Sequence, residues 1–303
     1  MKRLYIITGF LGAGKTTFLN NAIALVNKKI DVVINEFGKV GFDSRQLKAN
    51  RINIFEINGG SIYCSCREKD FYEIIVEIAE TDAEIVFIES SGLSDPSNIE
   101  PVISRVIQKT KREMKIEAVV TLVDALRFLK LNDMFPVMEK QIEVASTIIV
   151  NKTDMVSTET LDKIVDILRR HNNEASLIKT VHGKIENIST ISGKVKKLNG
   201  VTLNKPTMRE KSILIESKFD FQLKDVSKFL ENISGELLRV KGTFSTSEKN
   251  YYADCVEKQI SISETDDIKK GLRLIVIAPR NKPVVSYIKN QWLKYFNCAL
   301  NFK

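Results

Sequence analysis

Apolar and polar residues follow two different periods along the first 180 positions of the chain. Short apolar runs rich in β-branched residues predict strands, and segments whose apolar residues recur every three or four positions predict helices. The predicted strands are 4–7, 31–37, 52–57, 84–89, 116–123, 147–150 and 175–180, and the predicted helices include 15–26, 71–80, 98–110 and 158–170. This alternation predicts an α/β fold in which a mostly parallel sheet carries helices on both faces.

The pattern changes near residue 192. Residues 192–211 are rich in Lys, Asn and Gly and show no sustained period, so we interpret them as a linker between domains 1–191 and 212–303. The smaller domain is predicted as strand 212–219, helix 223–233, strands 236–244, 251–262 and 272–278, and helix 283–296. That order predicts an α+β domain with an antiparallel sheet. Its aromatic residues Tyr287, Trp292, Tyr295 and Phe296 recur at near-helical spacing, which predicts core packing rather than a binding site.

Residues 9–17, Gly-Phe-Leu-Gly-Ala-Gly-Lys-Thr-Thr, directly follow the first predicted strand and open the first predicted helix. They fit the pattern G-x-x-x-x-G-K-[ST], in which backbone N–H groups close around a phosphate and the lysine supplies charge to the β- and γ-oxygens. The helix adds the positive end of its dipole. The predicted phosphate-binding residues are Gly9, Gly12, Ala13, Gly14, Lys15, Thr16 and Thr17. The first domain is therefore predicted to be a P-loop NTPase.

A second element of a phosphate site follows strand 84–89. Glu89 ends this apolar run, where a carboxylate can hold the coordination shell of Mg²⁺ together with the hydroxyl of Thr16. Lys15, Thr16 and Glu89 form the predicted catalytic set. Gly92 follows three residues later and is expected to offer its N–H to a γ-phosphate. Residues 35–43 and 92–96 are therefore candidate switches that change order with the nucleotide.

Residues 151–154, Asn-Lys-Thr-Asp, come directly after strand 147–150 and predict selection of guanine. The carboxylate of Asp154 can accept both N1–H and the 2-amino group of guanine, a pairing that adenine cannot reproduce. Asn151 is expected to support the loop, Lys152 to lie over the base, and the backbone at His182 to contact the guanine O6. The predicted nucleotide is therefore GTP.

Composition limits the location and the partners. The chain of 303 residues is 43% hydrophobic and 28% charged, and no apolar run reaches the roughly 18 residues of a membrane span. Its four cysteines do not form a disulfide framework, so we expect a cytoplasmic protein without a membrane partner. Residues 191–303 carry 21 Lys and Arg against 12 Asp and Glu. The positive net charge of the chain, +8, is therefore concentrated in this part of the sequence. Nucleic acid is not expected, because no basic run is interleaved with aromatic residues.

Four segments together resemble the CobW-like family of P-loop GTPases, relatives of the hydrogenase and urease nickel-insertion GTPases. They are residues 9–17, 35–38, 89–96 and 151–154, and the resemblance extends over nearly the whole chain. It implies a GTP-hydrolysing metallochaperone or metallocofactor-assembly factor that hands a metal, often zinc or cobalt, to a client metalloprotein.

The chain departs from that family at its Cys-x-Cys-Cys motif. Ser61 and Tyr63 stand in place of the first two thiols, Cys64 keeps the third, and Cys66 is additional. In an extended segment the two cysteines face one side, so they can share a soft metal ion such as Zn²⁺ or Co²⁺, with Glu36 as an oxygen ligand. The alternatives are that the pair binds no metal, or that it senses redox state.

Two functions stay open on this evidence. The first is a slow GTPase that carries metal, whose turnover rises with a client, a metal or homodimerisation, because no water-positioning glutamine or arginine finger is recognisable. The second is a GTP-gated module that binds a corrinoid-dependent or metal-dependent enzyme and carries no metal itself. A third, an RNA-binding GTPase, is disfavoured by the charge pattern.

Overall fold

The computed structural model describes residues 1–35, 51–57, 68–132, 135–191, 193–196, 211–256, 258–266, 270–279 and 282–303. The chain divides into two compact units, Met1–Met208 and Arg209–Lys303. This division falls inside the predicted linker 192–211, of which residues 192 and 197–210 lie outside the described part. Among the described residues, no helix combines the length and the apolar character needed to cross a bilayer.

The first unit contains a sheet of seven described strands, all of them parallel. In chain order its elements are β1 (Lys2–Gly9), α1 (Lys15–Ala24), β2 (Ile30–Ile34), β3 (Ile52–Glu56), α2 (Glu68–Glu80), β4 (Ile85–Glu89), α3 (Ile99–Thr110), β5 (Met114–Asp124), α4 (Phe128–Leu131), α5 (Pro136–Glu143), β6 (Thr147–Asn151), α6 (Thr158–His171) and β7 (Ser176–Lys179). The strands lie in the order β3-β2-β4-β1-β5-β6-β7. The predicted α/β class with a mostly parallel sheet is confirmed.

Alternate residues of β1 belong to two different hydrophobic cores, one on each face of the sheet. Leu4 and Ile6 pack in the core that contains Phe71 of α2, whereas Ile7 packs in the core that contains Phe18 of α1. Because side chains of a strand point to opposite faces in turn, a strand covered by helices on both sides must be apolar throughout. Residues 4–7 of β1, Leu-Tyr-Ile-Ile, meet that requirement, and the strand lies at the centre of the sheet.

The carboxyl ends of four neighbouring strands form one edge of this sheet. β1 ends at Gly9, β4 at Glu89, β5 at Asp124 and β6 at Asn151, and these strands are adjacent in the order β4-β1-β5-β6. In open α/β sheets, ligands bind outside the carboxyl ends of the strands, where the strand order reverses. The fold therefore gathers the predicted site residues at the edge where such a sheet binds its ligand.

The second unit is an antiparallel sheet with helices packed against it. Its elements are β8 (Lys211–Ser217), α7 (Leu223–Ser234), β9 (Arg239–Ser245), β10 (Asn250–Val256), β11 (Gln259–Glu264), β12 (Leu272–Ala278), α8 (Val284–Trp292) and β13 (Asn301–Phe302), in the sheet order β11-β10-β9-β12-β8-β13. The predicted α+β domain with an antiparallel sheet is confirmed. Trp292, 1% exposed, lies in the core with Phe296, as its spacing predicts.

Two details of this unit correct the sequence prediction. The single strand predicted over 251–262 is wrong: the segment is a hairpin in which β10 and β11 pair antiparallel, with Val256 opposite Gln259. The prediction failed because the turn lacks Gly, Pro, Asn and Asp, the residues that usually mark a reversal of the chain. The strand β13, paired with β8, was not predicted, since two residues are too few to show a period.

Candidate functional site

The loop between β1 and α1 turns tightly. Gly9, Gly12 and Gly14 all have positive φ angles, of 133°, 75° and 97°. At position 14 a Cβ atom would overlap the side-chain amide of Asn151, so a larger residue would meet both backbone strain and a clash. The loop conformation therefore depends on glycine at this position.

Lys15 and the start of α1 bring positive charge to the loop. The buried ammonium group of Lys15 donates to the carbonyl oxygens of Gly9 at 2.9 Å and Phe10 at 3.2 Å. The helix begins after Gly14, which has no side chain to cap it, and its first turn contains no acidic residue. The positive end of the helix dipole therefore remains available to an anion. Thr17, in the first turn, is exposed.

Thr16 and Glu89 lie side by side at the ends of α1 and β4. The hydroxyl of Thr16 donates to Oε1 of Glu89 at 2.8 Å. Glu89 is buried, and the β1–β4 pairing sets it opposite Ile7. A hydroxyl and a carboxylate are hard oxygen donors of the kind that Mg²⁺ takes, so these two residues fit that ion.

The second candidate switch, residues 92–96, packs against the phosphate loop. A Cβ atom at Gly92 would lie 2.7 Å from the backbone nitrogen of Leu11, so only glycine allows this approach. Gln141 of α5, which is fully buried, donates to the carbonyl oxygens of Ser94 at 2.9 Å and Gly92 at 3.3 Å. The segment after β4 is thus held between the phosphate loop and α5. Of the first candidate switch, residues 36–43 lie outside the described part.

Asn151 joins the two ends of the candidate site. Its side-chain amide donates to the carbonyl oxygen of Ala13 at 3.0 Å, and its Oδ1 accepts from the backbone N–H of Gly183 at 2.9 Å. The side chain is 2% exposed. One buried residue therefore connects the phosphate loop to the loop that follows β7.

The remaining residues predicted to contact guanine lie on the loops that Asn151 connects. Lys152 has a φ of 62° and pairs with the carboxylate of Asp124 at 2.7 Å. Asp154 lies exposed in the short turn after it. His182 is exposed, has a φ of 54°, and accepts from the side-chain amide of Asn21 through its carbonyl oxygen at 2.8 Å. The structure therefore brings the predicted base-binding loops together.

The structure adds residues that were not recognised in the sequence. Asp124 ends β5 beside Asn151, and its Oδ2 accepts from Nε of Arg127 at 2.9 Å. Arg127 in turn donates from Nη2 to the carbonyl oxygen of Leu11, in the phosphate loop, at 2.6 Å. Asp124 directly follows the predicted strand 116–123, so its position at a strand end was the signal that could have identified it.

The predicted transition-metal ligands Glu36, Cys64 and Cys66 lie outside the described residues. Within the described part, no group of three or more His, Cys, Asp and Glu side chains is arranged to hold a metal ion. Cys255 lies in the core of the second unit, where burial raises the pKa of its thiol to about 12. A thiol in that state is neither a good nucleophile nor a good metal ligand.

Comparison with known proteins identifies relatives of this chain. Residues 3–179 match the family described as CobW/HypB/UreG, nucleotide-binding domain. The zinc chaperone YjiA of Escherichia coli strain K12 is 26% identical over 264 residues, which cover 78% of this chain and 80% of that protein. The zinc-regulated GTPase metalloprotein activator 1 of Dictyostelium discoideum is 26% identical over 293 residues, or 78% of this chain and 61% of that protein.

Among solved structures, the crystal structure of the Zn(II)-bound YjiA GTPase from E. coli aligns with a TM-score of 0.48 and 22% identity. The alignment covers 98% of this chain and 99% of that one. The family match spans more than half of the chain and contains the phosphate loop, Glu89 and the Asn-Lys-Thr-Asp segment. This chain therefore belongs to the CobW/HypB/UreG nucleotide-binding domain family.

Proposed function

We propose that the protein binds and hydrolyses GTP and acts as a metallochaperone or metallocofactor-assembly factor, which delivers or gates a metal such as zinc or cobalt to a client metalloprotein. The observation that carries the GTPase assignment is the bridge made by Asn151 between Ala13 and Gly183. The buried side chain of Asn151 thus connects the phosphate loop to the loop that is predicted to contact guanine. The relatives named zinc chaperone and zinc-regulated GTPase support the metal assignment.

Phosphoryl transfer needs mainly positioning and neutralisation of charge. The ammonium group of Lys15 and the N-terminal N–H groups of α1 supply positive charge beside the loop. Thr16 and Glu89 would hold Mg²⁺, which neutralises charge on the phosphate oxygens when it is bound. No water-positioning residue is assigned to this set, so intrinsic hydrolysis should be slow and rise with the client, the metal or homodimerisation.

We assign the selection of guanine over adenine to Asp154. Its carboxylate is exposed on the loop after β6, where Asn151 fixes the neighbouring backbone and Lys152 is held by Asp124. A carboxylate that accepts N1–H and the 2-amino group together rejects adenine, which lacks both donors. His182 contributes its backbone from the adjoining loop.

The cargo site is assigned to Cys64 and Cys66, with Glu36 as a third ligand. The competing function keeps the GTP switch and drops the metal, so that the protein gates a corrinoid-dependent or metal-dependent enzyme in the cytoplasm. Ser61 and Tyr63, which stand where relatives carry thiols, favour that second candidate. The two functions differ in whether these cysteines bind metal.

The assignment of the GTP-binding site is tested by equilibrium binding of fluorescent Mg-GTP and Mg-ATP analogues to wild type and Lys15→Ala. We expect wild type to prefer the guanine nucleotide and Lys15→Ala to lose at least ten-fold in affinity. Lys2→Ala is the matched control, because Lys2 is also a buried lysine that donates to backbone carbonyls, at the opposite end of β1. Equal binding of GTP by wild type and Lys15→Ala would refute the assignment.

The metal assignment is tested by competition titration with zinc, cobalt and nickel on the reduced protein, with and without a non-hydrolysable GTP analogue and Mg²⁺. Tight binding that depends on the nucleotide and is lost in Cys64→Ser/Cys66→Ser supports a metallochaperone. The variant Cys298→Ser controls for removal of a thiol outside the predicted site. Weak binding that depends neither on the nucleotide nor on these cysteines would refute the metal assignment and leave the gating function as the remaining candidate.

A further inference from the structure

A buried arginine holds the phosphate loop from the side of β5. The side chain of Arg127 is 7% exposed, and its guanidinium divides its donors between two partners. Nε pairs with Oδ2 of Asp124 at 2.9 Å, and Nη2 donates to the carbonyl oxygen of Leu11 at 2.6 Å. The planar guanidinium fixes both donors in one geometry, so Asp124 determines where Nη2 points.

The carbonyl that Arg127 holds controls the direction of a neighbouring N–H. The peptide unit is planar and trans, so the carbonyl of Leu11 and the N–H of Gly12 belong to one plate and point in opposite directions. Gly12 has a φ of 75° and would otherwise be free to rotate this plate, because glycine accepts both signs of φ. Capture of the carbonyl on the β5 side turns the N–H of Gly12 away from Arg127.

We propose that Arg127 is a positioning residue that orients the N–H of Gly12 toward the β-phosphate of the bound nucleotide. The proposal rests on the proposed nucleotide-binding function, since backbone N–H groups of this loop are what cradle the phosphates. A charge-assisted hydrogen bond at a buried carbonyl is strong enough to fix one loop peptide. Arg127 contacts the loop backbone rather than the phosphates, so it acts through Gly12.

The same carboxylate also serves the base loop. Oδ2 of Asp124 accepts from Arg127 and from Nζ of Lys152, at 2.9 and 2.7 Å. One oxygen atom therefore anchors the residue that holds the phosphate loop and the residue assigned to the base. Loss of Asp124 should weaken binding at both ends, whereas loss of Arg127 should weaken binding at the phosphate end alone.

The test compares the dissociation constants of GMP and GDP in the presence of Mg²⁺, because their ratio reports what the β-phosphate adds. Arg127→Met, which keeps the length of the side chain but no donor, is expected to lower this ratio about ten-fold or more while GMP affinity stays within about two-fold. Arg127→Lys keeps one donor and should give an intermediate ratio. General damage to the fold would weaken GMP and GDP alike and leave the ratio unchanged.

Two further variants keep the test decisive. Arg127→Met leaves Asp124 with less neutralisation, so Asp124→Asn/Arg127→Met is measured in case the single variant does not fold. Asp124→Asn alone should lower both GMP affinity and the ratio. The matched control is Arg239→Met in the second unit, where Arg239 also pairs with an aspartate, Asp254, at 2.8 Å and the ratio should not change.

The proposal is overturned if every variant that lacks Arg127 and folds keeps a ratio of GMP to GDP dissociation constants within two-fold of wild type. Unchanged GMP affinity in Asp124→Asn overturns the part that concerns the shared carboxylate. If wild type binds adenine rather than guanine nucleotides, the proposed function is wrong, and the same ratio measured with AMP and ADP still tests Arg127. The two failures are therefore distinguishable.

Discussion

Replacement of Asn151 by alanine removes the side chain that connects the phosphate loop to the base loop. The amide group donates to the carbonyl oxygen of Ala13, and Oδ1 accepts from the N–H of Gly183, at 3.0 and 2.9 Å. Both backbone groups lie in buried residues. The variant therefore leaves one buried acceptor and one buried donor without the partner each has in wild type.

The expected magnitude follows from these two groups. A buried polar group that loses its hydrogen-bond partner costs about 1–3 kcal/mol, so Asn151→Ala should lower the free energy of unfolding by about 2–6 kcal/mol. Nucleotide affinity should fall as well, because the two loops no longer hold each other in place. A loss of about 1.4 kcal/mol in binding free energy corresponds to a ten-fold higher dissociation constant for Mg-GDP.

Asn172 provides the matched control within the same unit. It is equally buried, and its side chain donates to the carbonyl oxygens of Ile142 and Ala145 and accepts from the N–H of Ala175. Asn172→Ala should therefore destabilise the fold at least as much as Asn151→Ala. Its contacts lie with the backbone around α5, α6 and β7 rather than with the phosphate loop, so GDP affinity should stay within about three-fold of wild type.

The assay measures urea unfolding and, separately, GDP binding under conditions in which both variants are fully folded. The reasoning is refuted if Asn151→Ala changes the free energy of unfolding by less than about 0.5 kcal/mol. It is also refuted if Asn172→Ala weakens GDP binding as much as Asn151→Ala does, since loss of stability alone would then explain both results.

Two other residues give independent predictions. Gln141→Leu releases the carbonyl oxygens of Gly92 and Ser94, so single-turnover GTP hydrolysis should slow about ten-fold while GDP affinity barely changes; equal losses in both would contradict this role. Because burial raises the pKa of Cys255 to about 12, an aromatic disulfide at pH 8 should leave this thiol unmodified in the folded protein, as peptide mass mapping would show. The raised pKa also means that stability from this thiol is present below its ordinary value of 9.0 and is lost as pH rises toward 12. Cys255→Ala should therefore show a smaller fall in the free energy of unfolding than wild type between those pH values. An equal fall in the two proteins would refute the raised pKa of Cys255.

Site residues could be predicted from the sequence where a local pattern of residues and the chemistry of their side chains point to the same role. The phosphate loop could be predicted because its glycines, its lysine and the flanking apolar strand are contiguous in the chain. Glu89 and Asn151 could be placed because each follows an apolar run, and parallel strands that share a sheet bring their carboxyl ends to one edge. The hairpin of β10 and β11 was missed because its turn carries none of the usual turn residues.

Arg127 could not be assigned a role in this way. It lies 116 positions from Leu11 in the chain, and nothing in a run of residues specifies that its guanidinium will meet that carbonyl. The contact exists only because β5 lies beside β1 in the sheet and ends at Asp124, which then holds the arginine. Residues that act on the backbone of another segment have no local pattern, so they emerge only with the fold.

Leu11 contacts both Arg127 and the segment after β4, which are the two features assigned to the phosphate end of the nucleotide site. Its carbonyl is held by Arg127, while its backbone nitrogen lies against Gly92, the residue assigned to the γ-phosphate. A shift of the segment after β4 would therefore press on the same residue whose carbonyl sets the direction of the N–H of Gly12. Since Asp124 anchors both Arg127 and Lys152, the base loop acts on this peptide through a single carboxylate. Packed contacts of this kind leave little room for independent motion, so we expect guanine binding and phosphate binding to vary together in variants of Asp124, and phosphate binding to vary alone in variants of Arg127.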